Sequence, residues 1–431
     1  MSEELHVLAD GRVMGRIEAR RQKFALIYDE GWRSWPQAYP LSLSMPLAVA
    51  EHEHKFVEAF LWGLLPDNET ILTRWGRKFQ VSPRNPFALI SHVGEDCAGA
   101  VQFVRGDRIK ELSAKSGSLQ VRWLEADETA ERMRLLVEDA SATRTGGDEG
   151  QFSLAGAQPK TALFHDVDNR RWGVPEGRTP TTHILKPATG EFEGFTQNEH
   201  FCLRLARRIG LTATNSWVED FGGLPVIVVE RYDRFVRTGQ VRRTHQEDMC
   251  QALGVRPQIK YQNQGGPSPK MIAGLLWDHS ASAPRDVRRF ADALVFNWLM
   301  VGTDAHAKNY SVLLAPEPGP QLAPLYDLAS AIPYTRQVDP RKAKLAMKVG
   351  GHYRAREISR RDWERCARDL RLRPTDVLAR LEAMMSRLLE AAPAVACEME
   401  DAGLRHPAVA SLVDALPAHL QGCAKQLVRS R

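Results

Sequence analysis

From residue 5 to residue 50, apolar and polar side chains alternate, as in Leu5-His6-Val7-Leu8 and Lys23-Phe24-Ala25-Leu26-Ile27-Tyr28. That two-residue period is the pattern of strands with one buried face. Asp10-Gly11 separates the first two runs with residues that tolerate positive φ, and predicts a hairpin turn. The period then lengthens. Phe56, Phe60 and Leu64, and later Ile71, Trp75 and Phe79, recur at helical spacing, interrupted by Pro66-Asp67-Asn68, so two short helices are expected here. Residues 86–104 mix the two patterns and close a first, β-rich subdomain near residue 105.

Between 141 and 150 the chain has three glycines and few large apolar residues, which predicts a mobile surface loop. Ser153-Leu154-Ala155-Gly156-Ala157-Gln158-Pro159-Lys160 follows as a run of small residues leading into strand-like Thr161–Phe164. Small side chains let backbone N–H groups approach phosphate oxygens, but one glycine matches neither a dinucleotide-binding nor a P-loop pattern, so an ordinary hairpin also fits. His183-Ile184-Leu185-Lys186 reads as an apolar strand ending in a lysine, either a phosphate-reaching cation or a surface charge. A helix is expected from Asn198 to Ile209, stopped by Gly210 and opened by Glu199, which could pair with Lys186 or act on the helix dipole. Leu224–Glu230 reads as a buried strand, ended by Arg231-Tyr232-Asp233-Arg234.

Beyond this point the pattern is helical. Phe290, Leu294, Trp298 and Val301 line one helix over 286–301, and Val377, Leu381, Met384 and Leu388 line another over 375–389. Between these helices, Thr303-Asp304-Ala305-His306-Ala307-Lys308-Asn309 sets a carboxylate five residues before an amide. In phosphoryl-transfer loops of this spacing, the Asp receives or orients the proton of the attacking hydroxyl and the Asn holds magnesium against the phosphates. A strand over 310–314, a turn over 315–321 and a return strand over 322–326 would deliver Asp327 as the second metal ligand. An isolated D-x-x-x-x-N is common by chance, and the hairpin with its second Asp is what raises its meaning.

Length and composition narrow the class. The chain has 431 residues, too many for one ordinary core, with 43% hydrophobic and 26% charged residues. No apolar run approaches the roughly 18 residues needed to span a bilayer and no signal peptide is evident, so a cytoplasmic protein is expected. The six cysteines are scattered without a C-x-x-C pair, which predicts reduced, mostly buried thiols, and the thirteen histidines form no H-E-x-x-H zinc pattern. A net charge of +5 spread among acids does not by itself imply nucleic-acid binding. Arg336, Arg341, Lys342, Lys344 and Lys348 against Asp339 form the densest basic segment, a solvated loop or an anion site.

Taken together these segments resemble the HipA family of bacterial serine/threonine-kinase toxins. The resemblance runs in order through Pro40–Pro46, Leu64–Asp67, Val93–Asp96 with Gly99-Ala100, Ser153–Lys160, Thr181–Ile184 with Lys186, Val229–Asp233, Gln246–Gln251, Thr303–Ser311, Tyr326-Asp327 and Lys344–Met347. It implies an α+β, two-lobed protein-kinase-like fold with an ATP cleft. The expected parts are an extra β-rich subdomain over 1–105, a kinase-like N-lobe over 106–235 and an all-helical C-terminal lobe over 236–431. By that resemblance Ser153, Leu154, Ala155, Gly156, Ala157 and Gln158 cover the ATP phosphates and Lys186 contacts them. Glu230 and Tyr232 present backbone groups to adenine, Asp304 is the catalytic base, and Asn309 and Asp327 hold magnesium. Lys160, His306 and Lys308 match positions near the phosphates, and Ser153 matches the family's autophosphorylation site. Tyr232, Ala305 and Pro159 depart from the Phe, Gly and Glu of the founding member.

The same resemblance implies a small HipB-like helix-turn-helix antitoxin as partner, with DNA reached only through that complex and no membrane. It also implies a protein substrate in translation, glutamyl-tRNA synthetase first and another aminoacyl-tRNA synthetase second. Two other readings are open. A D-x-H-x-x-N loop also resembles phosphoinositide kinases, although no membrane-seeking amphipathic helix is evident. A non-catalytic nucleotide-binding partner protein is disfavoured by the joint presence of Lys186, Asp304, Asn309 and Asp327.

Overall fold

The computed structural model describes residues 3–21, 23–113, 119–143, 153, 155, 156, 158–190, 192–237, 240–315 and 317–428. They belong to two compact units, one of residues 1–187, 220–258 and 312–320, the other of 188–219, 259–311 and 321–431.

In the first unit, the alternating N-terminal pattern forms an antiparallel sheet in the order Glu51–His52, Lys23–Tyr28, Arg12–Arg20, Glu3–Ala9, Val101–Val104. Its first hairpin turns at Asp10 and Gly11, both at positive φ (49° and 75°), as the two-residue turn requires. The helices His54–Leu64 and Glu69–Phe79 follow, separated at the Pro66-Asp67-Asn68 break. Asn68 starts the second helix by accepting from the Thr70 and Ile71 N–H groups, which satisfies donors left open by the first turn. Leu5, Val7, Ile17, Leu26, Phe60 and Phe103 share one hydrophobic core beneath this sheet.

The remainder of this unit is built on antiparallel strands in the order Pro225–Glu230, His183–Pro187, Thr161–Asp166, Arg171–Pro175, Val121–Trp123. His183–Pro187 is flanked on both sides, with Lys186 opposite Ile227 and Leu185 opposite Thr161. Residues 144–150, on which the mobile-loop expectation falls, lie outside the described residues, as do Leu154 and Ala157 of the small-residue run.

The second unit is mainly helical: Phe195–Arg208, Pro269–His279, Ala283–Leu299, Arg360–Asp369, Pro374–Asp401 and Pro407–Val428. The first of these starts at Phe195 behind Gly194, so Glu199 does not open it but sits buried in its second turn. Gly194 is at φ 70°, and a Cβ there would meet the His406 ring at 2.1 Å. The helix expected over 375–389 extends to Asp401 and carries Pro393 within it.

Residues 236–431 are not all-helical, as the sequence pattern suggested. They also contain the strands Gln240–Arg243, His245–Asp248, Lys344–Val349 and His352–Arg354, the last two forming a hairpin. In the first strand of that hairpin Leu345, Ala346, Met347 and Val349 are buried while Lys344 is exposed and Lys348 half-buried, so the charge of the segment masks a mostly buried strand. The return strand expected over 322–326 shrinks to Gln321–Leu322, because Pro324 has no N–H to give a ladder.

Among the described residues no helix is long and apolar enough to cross a membrane. All six cysteines are free thiols, and only Cys397 is exposed.

Candidate active site

The helix Ala283–Leu299 presents the D-x-x-x-x-N loop at its C-terminus. Beyond the Met300 cap, the Gly302 N–H donates to the Asn297 carbonyl at 2.7 Å and the Val301 N–H to the Trp298 carbonyl at 3.3 Å. This pair of bonds is a Schellman ending. Its left-handed position is held by Val301 at φ 53°. A β-branched residue there is a true outlier, and such strain persists only where surroundings over-determine it. The surroundings do so: the Val301 carbonyl accepts from the Ala331 N–H at 3.1 Å and the Met300 carbonyl from Ser330 Oγ at 2.6 Å. Buried Asn198 in turn clasps the Ser330 backbone on both sides, donating to its carbonyl (2.8 Å) and accepting from its N–H (3.1 Å).

The loop itself closes on Asp304. Its carbonyl accepts from the His306 N–H at 2.8 Å and from Asn309 Nδ2 at 2.9 Å, so the amide is bound to the backbone of the residue five positions earlier. The Asp304 carboxylate points outward with 72% of its side chain exposed, and Oδ1 accepts a hydrogen bond from the Tyr261 hydroxyl. His306 Nε2 lies 3.9 Å from the same oxygen, while its ring is buried and meets Tyr261 edge-on at 4.9 Å. Lys308 is also buried, and its carbonyl accepts from Tyr326 at 2.7 Å. Tyr326 shares a further 2.6 Å bond with Ser311. Asp327, next in the chain, is half-buried at φ 51°. The structure thus brings Asp304, His306, Lys308 and Asn309 into one turn, with the residue before Asp327 bonded to that turn.

The other predicted positions lie in the first unit. Ser153 is 1% exposed, with Oγ donating to the Leu64 carbonyl at 2.7 Å and N–H to the Asp96 carbonyl at 3.2 Å. Gly156, at φ 111°, accepts from the Asp67 N–H at 3.1 Å. Lys160 folds back so that Nζ donates to the Ala155 carbonyl at 2.9 Å, in the space a Cβ on Gly156 would need. The missing side chain of Gly156 therefore makes room for Lys160, and the segment is anchored to the Leu64–Asp67 turn, which the sequence reading did not anticipate. Gln158 is half-buried beside Lys160. Lys186 is only 3% exposed, so it is not the surface charge that a strand lysine usually is. Glu230 ends its strand opposite His183, and Tyr232 donates to Gln246 Oε1.

The Arg231–Arg234 turn, which follows the strand ending at Glu230, is part of a buried ion cluster. Arg234 contacts Asp96 at 3.0 Å and Asp233 at 2.9 Å, Arg231 contacts Asp233 at 2.9 Å, and Arg243 contacts Asp96 at 3.3 Å. Thr181 gives both its N–H (3.0 Å) and its hydroxyl (2.7 Å) to Asp96, and the Gly99 N–H donates to Asp233 at 2.7 Å. Burial pushes the Asp96 carboxyl up, but Arg234, Arg243 and Arg231 outweigh it and hold the group well below the usual carboxylate range. Burial and Arg231 act in the same opposed way on Asp233, with the same net direction. This cluster links the Val93–Ala100 segment to the Thr181–Ile184 and Val229–Asp233 segments, which explains why these motifs occur together.

Sequence reasoning missed Tyr261, Asn198 and Ser330. Tyr261 lies 43 positions before Asp304 and nothing in spacing connects them. Its only sequence signal is Gly265-Gly266, turn residues that fold the 260–266 segment back.

An exposed carboxylate, an amide bound behind it and a second carboxylate on the adjoining segment, carried on an α+β scaffold, are compatible with a kinase-like protein. Comparison with known proteins narrows this class. The profile of the HipA N-terminal domain matches residues 5–104, and that of the HipA-like C-terminal domain matches residues 152–394. Y4mE of Sinorhizobium fredii is 36% identical over 90% of this chain and 92% of its own. The serine/threonine-protein kinase toxin HipA of Shewanella oneidensis is 32% identical over 74% of this chain and 72% of its own. The solved complex of Shewanella oneidensis HipA with HipB and operator DNA superposes with a TM-score of 0.80 at 26% identity, covering 98% of this chain and 97% of that one. The chain belongs to the HipA family, and it is a kinase with that family's α+β kinase-like fold.

Proposed function

We propose that the protein is an ATP- and magnesium-dependent serine/threonine kinase toxin that phosphorylates a translation component. The observation that carries this reading is the Asp304 carboxylate, exposed to a substrate while its backbone is fixed by Asn309 and His306 in a chain of the HipA family. Phosphoryl transfer asks the protein mainly for alignment and charge neutralisation. Asp304 orients the acceptor hydroxyl and takes its proton. The roles assigned by this reading are ATP-phosphate contacts for Lys186 and the Ser153–Gln158 segment, with Lys160, His306 and Lys308 as further phosphate-contacting candidates, and backbone contacts to adenine for Glu230 and Tyr232.

Asn309 and Asp327 are the magnesium ligands of this reading, and their chemistry fits. Amide and carboxylate oxygens are hard donors, and magnesium is ordinarily held by one or two such residues together with substrate phosphates. Bonding of Asn309 Nδ2 to the Asp304 carbonyl leaves its oxygen available. No cluster of three or more His, Cys, Asp or Glu side chains that would make an all-protein cage occurs among the described residues. Once bound, the ion would neutralise charge on the transferring phosphoryl group.

The HipB and operator DNA in the Shewanella complex support a helix-turn-helix antitoxin as partner, with DNA met through it. The substrate proposed is glutamyl-tRNA synthetase, with another aminoacyl-tRNA synthetase as second choice. Ser153 is proposed as the self-inactivation site. Its phosphate would add about −1.5 to −2 charges where ATP phosphates bind, but the buried hydroxyl must first leave the Leu64 carbonyl.

Brief induction of the wild-type protein and of Asp304→Asn, followed by phosphoproteomics, tests this reading. Phosphate on a synthetase in the wild-type sample alone is expected, with falling amino-acid incorporation. Transfer of label to lipid, or unchanged incorporation with an active enzyme, overturns it.

A further inference from the structure

We infer that Tyr261 is a positioning residue for the catalytic base, a role that rests on the kinase reading of Asp304 given above. The phenol donates to Asp304 Oδ1. A carboxylate has two oxygens and about four lone-pair sites, so a bond to one oxygen fixes the plane of the group and leaves the other for an incoming hydroxyl. With 72% of the Asp304 side chain exposed, that second oxygen is accessible. Without the phenol, an exposed aspartate samples several rotamers, few of which aim a lone pair at the acceptor.

The rest of the segment is built to hold the phenol still. The Tyr261 ring stands edge-on to the buried His306 ring at an interplanar angle of 88°. Its carbonyl accepts from the Gln264 and Gly266 N–H groups, both at 3.0 Å. The Lys260 carbonyl accepts from the Ala307 N–H at 3.4 Å, tying the segment to the catalytic loop. On the far side Gln262 Oε1 accepts from the Lys348 N–H at 2.7 Å, tying it to the Lys344–Val349 strand. Gly266 allows this fold because a Cβ there would meet the Ile259 carbonyl oxygen at 2.1 Å. The phenol is thus carried by a backbone anchored on three sides, with its hydroxyl on the reacting carboxylate.

The test is Tyr261→Phe, which keeps the ring and removes the bond. Initial rates are read with radiolabelled ATP and magnesium, using dephosphorylated casein and the protein itself as acceptors. A hydrogen bond to a charged group is of the size that changes a rate by about 10- to 100-fold when lost. The expected result is a kcat lower by that factor, with the KM for ATP and the affinity for a non-hydrolysable ATP analogue unchanged. Gln262→Met, which loosens the same segment but keeps the phenol, is expected to lose less. Three results overturn the role: an unchanged kcat in Tyr261→Phe, equal losses in the two variants, or a raised kcat. The last would mean that the phenol occupies the acceptor's place and blocks it. A wild-type protein that transfers no label would instead remove the kinase reading, and the role of Tyr261 with it.

Discussion

Replacing Asp96 by Asn tests the buried ion cluster most sharply. Two carboxylates, Asp96 and Asp233, face three guanidinium groups, Arg231, Arg234 and Arg243. Arg231, Arg234, Asp96 and Asp233 are each less than 9% exposed. The amide keeps the shape of Asp96 but leaves one carboxylate to balance three cations in a site that water cannot reach. Breaking a buried pair from one side costs about 3 to 5 kcal/mol, far more than the ~0 to 1 kcal/mol of a surface pair. With a urea m-value of about 3 kcal/mol/M, the unfolding midpoint of the first unit should fall by roughly 1 to 1.7 M. Because its arginines hold Asp96 ionised well below the usual range, its contribution is fully present above the ordinary carboxylate pKa and is lost only as the pH falls through the lowered value. The penalty of Asp96→Asn should therefore be the same at pH 6 and pH 8. Adding Arg234→Met should recover part of the loss, giving a coupling of about 1 kcal/mol or more in a double-mutant cycle. A cost below about 1 kcal/mol, or strict additivity, would refute the reasoning, since it would put the cluster in the class of surface pairs.

Other expectations follow from single sites. Burial lowers the His245 pKa to about 4, while Nε2 bonds the Leu41 carbonyl at 2.8 Å and Nδ1 accepts from the Ala100 N–H. The unfolded chain then binds the extra proton between about pH 6.5 and 4, so stability present at pH 7 should drop by about 2 kcal/mol at pH 5, measured as a urea midpoint and diminished in His245→Phe. Glu247 has the opposite sign. Burial raises its pKa to about 8, so stability present at low pH is lost as the pH rises, and Glu247→Gln should gain more at pH 8 than at pH 5 in the same assay. Asn198→Ala leaves the buried Ser330 N–H and carbonyl without their clasp. It should cost about 2 kcal/mol of stability and raise the magnesium concentration needed for half-maximal activity, read from a magnesium titration. Incubation with ATP and magnesium should place phosphate on Ser153, mapped by mass spectrometry, and weaken ATP binding. Active enzyme with unmodified Ser153, or a phosphorylated form that binds ATP equally well, would contradict self-inactivation.

Much of this was legible because short-range chemistry fixed it. Asp304 and Asn309 sit in one turn, and the amide-to-carbonyl bond that closes it spans only five residues. The N-terminal sheet followed from a two-residue period, and the helices His54–Leu64 and Glu69–Phe79 from a helical period broken at a proline. Three kinds of feature escaped. Strong charge hid the Lys344–Val349 strand, although Leu345, Ala346, Met347 and Val349 are buried. Pro324 shortened a strand that apolar content alone predicted. Long-range polar bonds left no trace in spacing: Ser330 to Asn198 spans 132 residues and Tyr261 to Asp304 spans 43. The anchoring of Ser153 on Leu64, 89 residues away, belongs with these. Ser153 can leave its place only by giving up its hydrogen bonds to the Leu64 and Asp96 carbonyls.

The most direct measurement of the central claim is phosphoryl transfer by Asp304→Asn. Asparagine keeps the size of the side chain but cannot take a proton, so the account predicts that single-turnover transfer from radiolabelled ATP to a protein acceptor is abolished while ATP affinity is retained. Lys186→Ala and Asp327→Ala, acting on ground-state phosphates and metal, should lose affinity as well as turnover. Substantial residual transfer in Asp304→Asn, with wild-type protein active under the same conditions, would contradict the assignment of Asp304 as the base.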